Sequence, residues 1–159
     1  MEDRKKPEVS PFDSVDPAPP SKEVNISKLG NTLGDENEKM FQRMRALFAL
    51  RNIGGHESVD ALTAAFSSKS ALLKHEIAYV LGQMQDPHAV PSLIDRLSDL
   101  SEDVMVRHEA AEALGAIGNR TAMSTLEKFV NDEQAVIAES CEVAIDLLNW
   151  VSGKKLDYS

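Results

Sequence analysis

The feature that most limits what this chain can become is an internal repeat. Lys74-His-Glu-Ile-Ala-Tyr-Val-Leu-Gly-Gln-Met84 aligns without a gap on Arg107-His-Glu-Ala-Ala-Glu-Ala-Leu-Gly-Ala-Ile117, at an offset of 33. The shared positions are His75/His108, Glu76/Glu109, Ala78/Ala111, Leu81/Leu114 and Gly82/Gly115. Upstream, Arg43-Met-Arg-Ala-Leu-Phe-Ala-Leu-Arg-Asn-Ile53 fits the frame at an offset of 31, and downstream Ala138-Glu-Ser-Cys-Glu-Val-Ala-Ile-Asp-Leu147 fits at about 30. A second periodic segment follows a turn in each of the first three units: Ser58–Phe66 after Gly54-Gly55, Ala89–Leu97 after Asp86-Pro87, and Ala122–Val130 after Gly118-Asn119. Turn residues sit where one helix stops and the next begins. Pro91 falls in the first turn of its helix, where a missing N–H is harmless.

A helix–turn–helix unit of about 30 residues cannot bury its apolar face alone, so such units stack. The expectation is an all-α fold of four HEAT-like helical hairpins over 39–152. They stack as a short right-handed α-solenoid whose concave side is lined by the first helix of each unit. Aromatic residues make up only 5% of the chain. The core must therefore be built from Ala, Leu, Ile, Val and Met, which suits close-packed helices better than a β-sandwich. Residues 1 to about 22 hold five of the seven prolines, including Asp16-Pro-Ala-Pro-Pro20. The stretch 1–38 therefore reads as a Pro-rich linker or tail, partly disordered, and 153–159 as a C-terminal tail.

The formal net charge of −9 argues against nucleic acid, since phosphate binding needs a basic face. It suits a basic partner or a cationic substrate, or simply solubility. No apolar run approaches the roughly 18 residues of a membrane span. The start of the chain lacks the apolar core of a secretory signal, and the single Cys141 fits a reducing compartment. Together these suggest a cytoplasmic protein.

Two of the four histidines occupy one repeat position, each followed by Glu. Equivalent positions on stacked helices lie side by side, with axes about 8–10 Å apart. Two imidazoles leaning across such a gap can share one metal ion. Neighbouring positions on a helix differ by about 100°, so Glu76 and Glu109 are free to meet a second ion or a substrate ammonium. The competing reading is that repeat duplication copied a structural residue; spacing alone leaves both open. The outer units differ, with Met44-Arg45 and Ala138-Glu139 in the His-Glu frame, as expected of capping repeats around two functional ones. Gly82 and Gly115 lie seven positions after their histidines. Glycine costs up to about 1 kcal/mol inside a helix, so something approaches the backbone there, or the helices pack closely or fray. His56 and His88 sit near turns and read as surface residues. The pattern is not His-Glu-x-x-His, which would need histidines at Tyr79 and Glu112.

At these residues the chain resembles deoxyhypusine hydroxylase. The resemblance is carried by Ser70–Met84 and Met105–Gly118, supported by Arg45–Asn52, Ser14–Pro20 and Glu139–Ala144. It implies a HEAT-repeat enzyme with a non-haem di-iron centre. That enzyme uses molecular oxygen to hydroxylate the deoxyhypusine side chain of translation initiation factor 5A. The family resembles two four-repeat halves facing each other, each bringing two His-Glu pairs. This chain looks like the C-terminal half preceded by the inter-half linker. By the same resemblance His75, Glu76, His108 and Glu109 are iron (Fe2+) ligands, and Gly82, Met105 and Gly115 lie near the substrate. Half of the expected ligands lie outside this chain. Its partner would be an N-terminal half or a second copy of the chain, with no nucleic acid and no membrane involved. The alternative is a non-catalytic HEAT-repeat scaffold that binds protein.

Overall fold

The computed structural model describes residues 6–153, and within them eight α-helices. They are α1 (Ile26–Gly34), α2 (Met40–Ile53), α3 (Gly55–Ala64), α4 (Ala71–Met84), α5 (Val90–Ser98), α6 (Val104–Ile117), α7 (Met123–Phe129) and α8 (Ala135–Val151). The even-numbered helices form one layer, α2 on α4, α4 on α6, and α6 on α8. The odd-numbered helices form the second layer and wedge against the first. No described helix is long and apolar enough to cross a membrane.

Local sequence explains where the helices start and stop. Asn25, Ser70 and Asp103 cap α1, α4 and α6, each accepting a backbone N–H from the first turn. Asp86 and Asn119 cap the short 3₁₀ turns that lead into α5 and α7. Gly54, Gln85 and Gly118 end the three helices of the repeat frame with positive φ, at 71°, 53° and 79°. Gln85 is the exception among two glycines, and its side chain donates to the Ala116 carbonyl at 2.9 Å.

Inside the stack, α4 buries Leu73, Ile77 and Leu81 at helical spacing, and α6 buries Val106, Ala110 and Leu114 in register. Burying such a side chain contributes roughly 1.5–3 kcal/mol. Glycine and alanine then set how near the layers come. A Cβ on Gly82 would lie 3.1 Å from Ala113 Cα, and one on Gly115 would lie 3.0 Å from both Ala144 Cα and Cβ. These close approaches bring the His-Glu positions of α4, α6 and their neighbours within reach of one another.

The structure departs from two expectations. The stretch 1–38 is not a tail throughout. Ile26, Leu29 and Leu33 form the apolar stripe of α1, and Leu29 and Leu33 are buried against α2 and α3. The weak helix formers Gly30, Asn31 and Thr32 hide that stripe in the sequence. Upstream, Asp16 forms a two-pronged ion pair with Arg51 at 2.6 and 3.0 Å, and Ala18 is buried. The repeat frame is also shifted. Helices α1, α5 and α7 pack on the helix that follows them, so α1 completes the first hairpin and α7 with α8 forms the fourth. The His-Glu helix α6 is thus the second helix of its hairpin, while α3, which precedes α4, packs on both α2 and α4. Residues 1–5 and 154–159, parts of the two expected tails, lie outside the described residues.

The basic residue that precedes each His-Glu pair has an architectural task. Arg107 donates to the Leu97 carbonyl at 2.9 Å and to Asp132 at 3.0 Å, tying α6 to the next inter-helix loop. Arg43 does the same with the Leu33 carbonyl at 2.9 Å and Ser68 at 3.2 Å. Lys74 reaches Glu102 at 2.6 Å. The rungs follow the repeat: each base clamps a loop of the following hairpin.

Candidate metal centre

His75 projects from α4 and His108 from α6, and both turn their Nε2 atoms toward one carboxylate. Glu109 Oε2 lies 3.2 Å from His75 Nε2 and 3.7 Å from His108 Nε2. Glu76 Oε1 lies 3.9 Å from His75 Nδ1 on the other flank. The two imidazoles therefore meet at Glu109 rather than at each other. This differs from the expectation of a metal ion bridging the histidines with the glutamates turned to a second ion.

Glu112 is a residue that sequence reasoning passed over as a donor. It stands one turn after His108, on the same face. His108, Glu109 and Glu112 offer one ligand atom each within 4.8 Å of one another. The signal was present: His-Glu-x-x-Glu occurs on α6, whereas Tyr79 holds the matching place on α4. Ser140 was also missed. Its Oγ lies 2.6 Å from His108 Nδ1.

Burial governs the electrostatics. Desolvation holds the Glu76 carboxyl above its ordinary range; the nearby Asp16 pushes it further and His75 opposes both. Glu109 is likewise raised by burial, with Glu112 and Glu76 adding to the effect and the two histidines opposing it. Crowded, half-dry carboxylates of one sign are where a bound cation gains most. Imidazole and carboxylate donors together suit iron and similar transition metals. The donor set therefore fits the metal that the sequence resemblance implies.

The two glycines, both expected near substrate, take different places. Gly115 faces Ala144 in the stack and is buried, so it serves the packing of α6 on α8. Gly82 packs on Ala113, yet also lines a cleft of about 310 Å³ with Tyr79, Gln83, Glu109, Glu112, Ala113 and Ala116. Met105 is 49% exposed in the first turn of α6, one turn before His108. It is the third rung of an exposed apolar ladder with Phe41 and Leu72, which share its repeat position. His56 and His88 are exposed, as expected, and their rings stack at 4.3 Å while pairing with Asp86 and Asp60.

A family model of HEAT repeats matches residues 26–105 and again 65–146. The chain belongs to the HEAT-repeat family. Among HEAT-repeat proteins it is similar to deoxyhypusine hydroxylases. The Rattus norvegicus enzyme is 46% identical over 149 residues, covering 94% of this chain and 49% of the relative. The Homo sapiens enzyme is 45% identical over 153 residues, 96% of this chain and 51% of the relative. Deoxyhypusine hydroxylase-B of Oryza sativa subsp. japonica is 47% identical over 152 residues, 94% and 50% respectively. The solved structure of human deoxyhypusine hydroxylase in complex with glycerol superposes with a TM-score of 0.88 at 46% identity, covering 91% of this chain and 50% of that one. The chain thus spans about half the length of the curated relatives it matches. The all-α repeat fold and the resemblance read from the sequence both stand.

Proposed function

We propose that this chain is the C-terminal half of an iron oxygenase that hydroxylates a protein-bound deoxyhypusine side chain. The observation that carries this reading is the meeting of two imidazoles from adjacent helices at the buried carboxylate of Glu109. His75, His108 and Glu109 would hold iron, with Glu76 and Glu112 at its flanks. Bound iron supplies the activation of molecular oxygen, which protein side chains alone do not provide.

The chain's own residues bind and orient. The cleft beside Glu109 has a floor of Gly82, Ala113 and Ala116 and an acidic end at Glu112. That combination suits an aliphatic side chain carrying ammonium groups, and the net charge of −9 adds a favourable field for it. The proposed substrate is accordingly the hypusine-bearing translation initiation factor 5A, and the proposed setting is the cytoplasm.

A partner completes the centre. Carboxylate-bridged di-iron sites draw His and Glu from several facing helices, and α4 with α6 supplies only two His-Glu pairs. Val143, Leu147 and Trp150 form an exposed stripe on α8, 63%, 40% and 65% accessible, that a second four-hairpin half can cover. A complementary N-terminal half is the preferred occupant, and a second copy of this chain the other.

The test is hydroxylation of a deoxyhypusine-bearing protein under aerobic conditions with ferrous iron. The chain alone should be inactive or nearly so. Mixed with a complementary N-terminal half it should form a complex of higher mass and turn over substrate, and His75→Ala should abolish turnover. A chain that stays monomeric and inactive with that half, and carries no iron, is a protein-binding HEAT scaffold instead.

A further inference from the structure

Ser140 stands outside the doubled His-Glu motif, in the repeat that the sequence marks as a cap. Its place in the stack is nevertheless specific. Gly82 packs on Ala113, and Gly115 packs on Ala144 in the same manner. Ala144 therefore takes the place of Ala113 one repeat on, 31 residues later, and by the same step Ser140 takes the place of Glu109. Where α6 presents a carboxylate to His75, α8 presents a hydroxyl to His108.

The hydrogen bonds around that hydroxyl settle which ring nitrogen carries the proton. Ser140 Oγ lies 2.6 Å from the Val136 carbonyl and 2.6 Å from His108 Nδ1. A carbonyl oxygen has no proton to give, so the single hydroxyl proton points to Val136. Only the oxygen lone pairs remain for His108, and Nδ1 must be the donor. Glu112 Oε1, 3.8 Å from the same nitrogen, lies beyond hydrogen-bond reach but adds negative charge on the side of the Nδ1 proton. The lone pair of the neutral ring then sits on Nε2, which faces Glu109. Among the described residues His75 has no such arrangement from its neighbour: its Nδ1 faces Glu76 of its own helix, at 3.9 Å.

We propose that Ser140 is a positioning residue that locks His108 as the Nδ1–H tautomer and presents its Nε2 lone pair to a metal ion held at Glu109. The inference rests on the metal reading of the site. Hydrogen bonds to the far nitrogen of a ligating imidazole commonly set its tautomer and ring orientation, and their loss typically weakens metal binding about 10–100-fold. The fourth hairpin thereby has a part in the centre without contributing a ligand. Ser140 is 5% exposed and sits in the middle of α8, where serine is a poor helix former. Helix stability alone does not call for it.

The experiment has two arms on the full chain. In the first, long-range ¹H–¹⁵N spectra of the metal-free protein report the tautomer of His108. Wild-type protein should show Nδ1–H, Ser140→Ala should shift the ring toward Nε2–H, and Ser140→Thr should restore Nδ1–H. In the second, ferrous iron is titrated anaerobically against a competing chelator. Ser140→Ala should bind about 10–100-fold more weakly, and Ser140→Thr close to wild type. A wild-type ring found as Nε2–H overturns the inference whatever the variants do. So does a Ser140→Ala variant with unchanged affinity. Wild-type protein that takes up no iron, yet shows the Nδ1–H tautomer, overturns the metal reading rather than the assignment of the proton.

Discussion

Replacing Gly115 by alanine separates two opposing effects whose sizes can be worked from the structure. Alanine is the better helix former by about 0.8–1.0 kcal/mol. The new Cβ, however, would stand 3.0 Å from both Ala144 Cα and Ala144 Cβ. The first of these is backbone, so no side-chain rotation relieves it, and α8 must shift by several tenths of an ångström. Inserting a methyl into such packing costs about 1–3 kcal/mol. The net result is a loss of up to about 2 kcal/mol, or a few degrees in Tm at about 2–4 °C per kcal/mol for a chain of this size. Gly30→Ala is the internal control. Its Cβ would meet Ala61 Cβ at 3.5 Å, an ordinary contact, so it should gain up to about 1 kcal/mol. Equilibrium denaturation followed by far-UV circular dichroism reads both. If Gly115→Ala stabilises the protein as Gly30→Ala does, close approach is not why glycine stands at 115.

Further consequences follow from buried groups elsewhere. Asp16→Ala leaves the Arg51 guanidinium, whose side chain is 0% exposed, without its carboxylate; it should lose about 3–5 kcal/mol in urea denaturation, and a loss below about 1 kcal/mol, as for a surface pair, would contradict the anchoring of the N-terminal segment. Burial pushes the Cys141 thiol up to about 11. Native protein should therefore resist thiol reagents at mildly alkaline pH and react promptly in denaturant, and rapid native labelling would count against the packing of α8. The Asp132 carboxyl is held below its ordinary value, first by the Gln134 backbone N–H, which with Arg107 outweighs the opposing effect of burial. A carboxyl lowered in the folded state stabilises above its unfolded value of about 3.9 and loses that contribution as pH falls through the folded value. Asp132→Asn should flatten the acid limb of a stability–pH curve, and a limb unchanged in steepness would remove this group from the account.

Much of the architecture was legible because repeats are compared within one chain. The offset of 33 aligned α4 with α6 and set His75 and His108 on neighbouring helices. What the alignment did not carry was register across the stack. Gly82 of α4 packs on Ala113 of α6, and in that register Glu109 faces His75 at 3.2 Å. The hairpin pairing was hidden as well. Turn residues mark every helix end alike, and only contact between helices shows that α1 belongs to the first hairpin. Its apolar stripe at Ile26, Leu29 and Leu33 was readable, but two glycines and a proline-rich approach outweighed it. Glu112 was readable too, as the fifth residue of His-Glu-x-x-Glu. Ser140 was not, since a serine in a helix carries no signal until its two hydrogen bonds are placed.

The central claim is that α4 and α6 together hold iron through His75, His108 and Glu109. The most direct measurement loads the full chain anaerobically with ferrous iron, removes the excess by gel filtration and counts the iron retained per chain. The account predicts iron on the wild-type protein, lost from His75→Ala, His108→Ala and Glu109→Ala with the far-UV spectrum unchanged. An iron-free wild type, or retention that is the same in all four proteins, would contradict it.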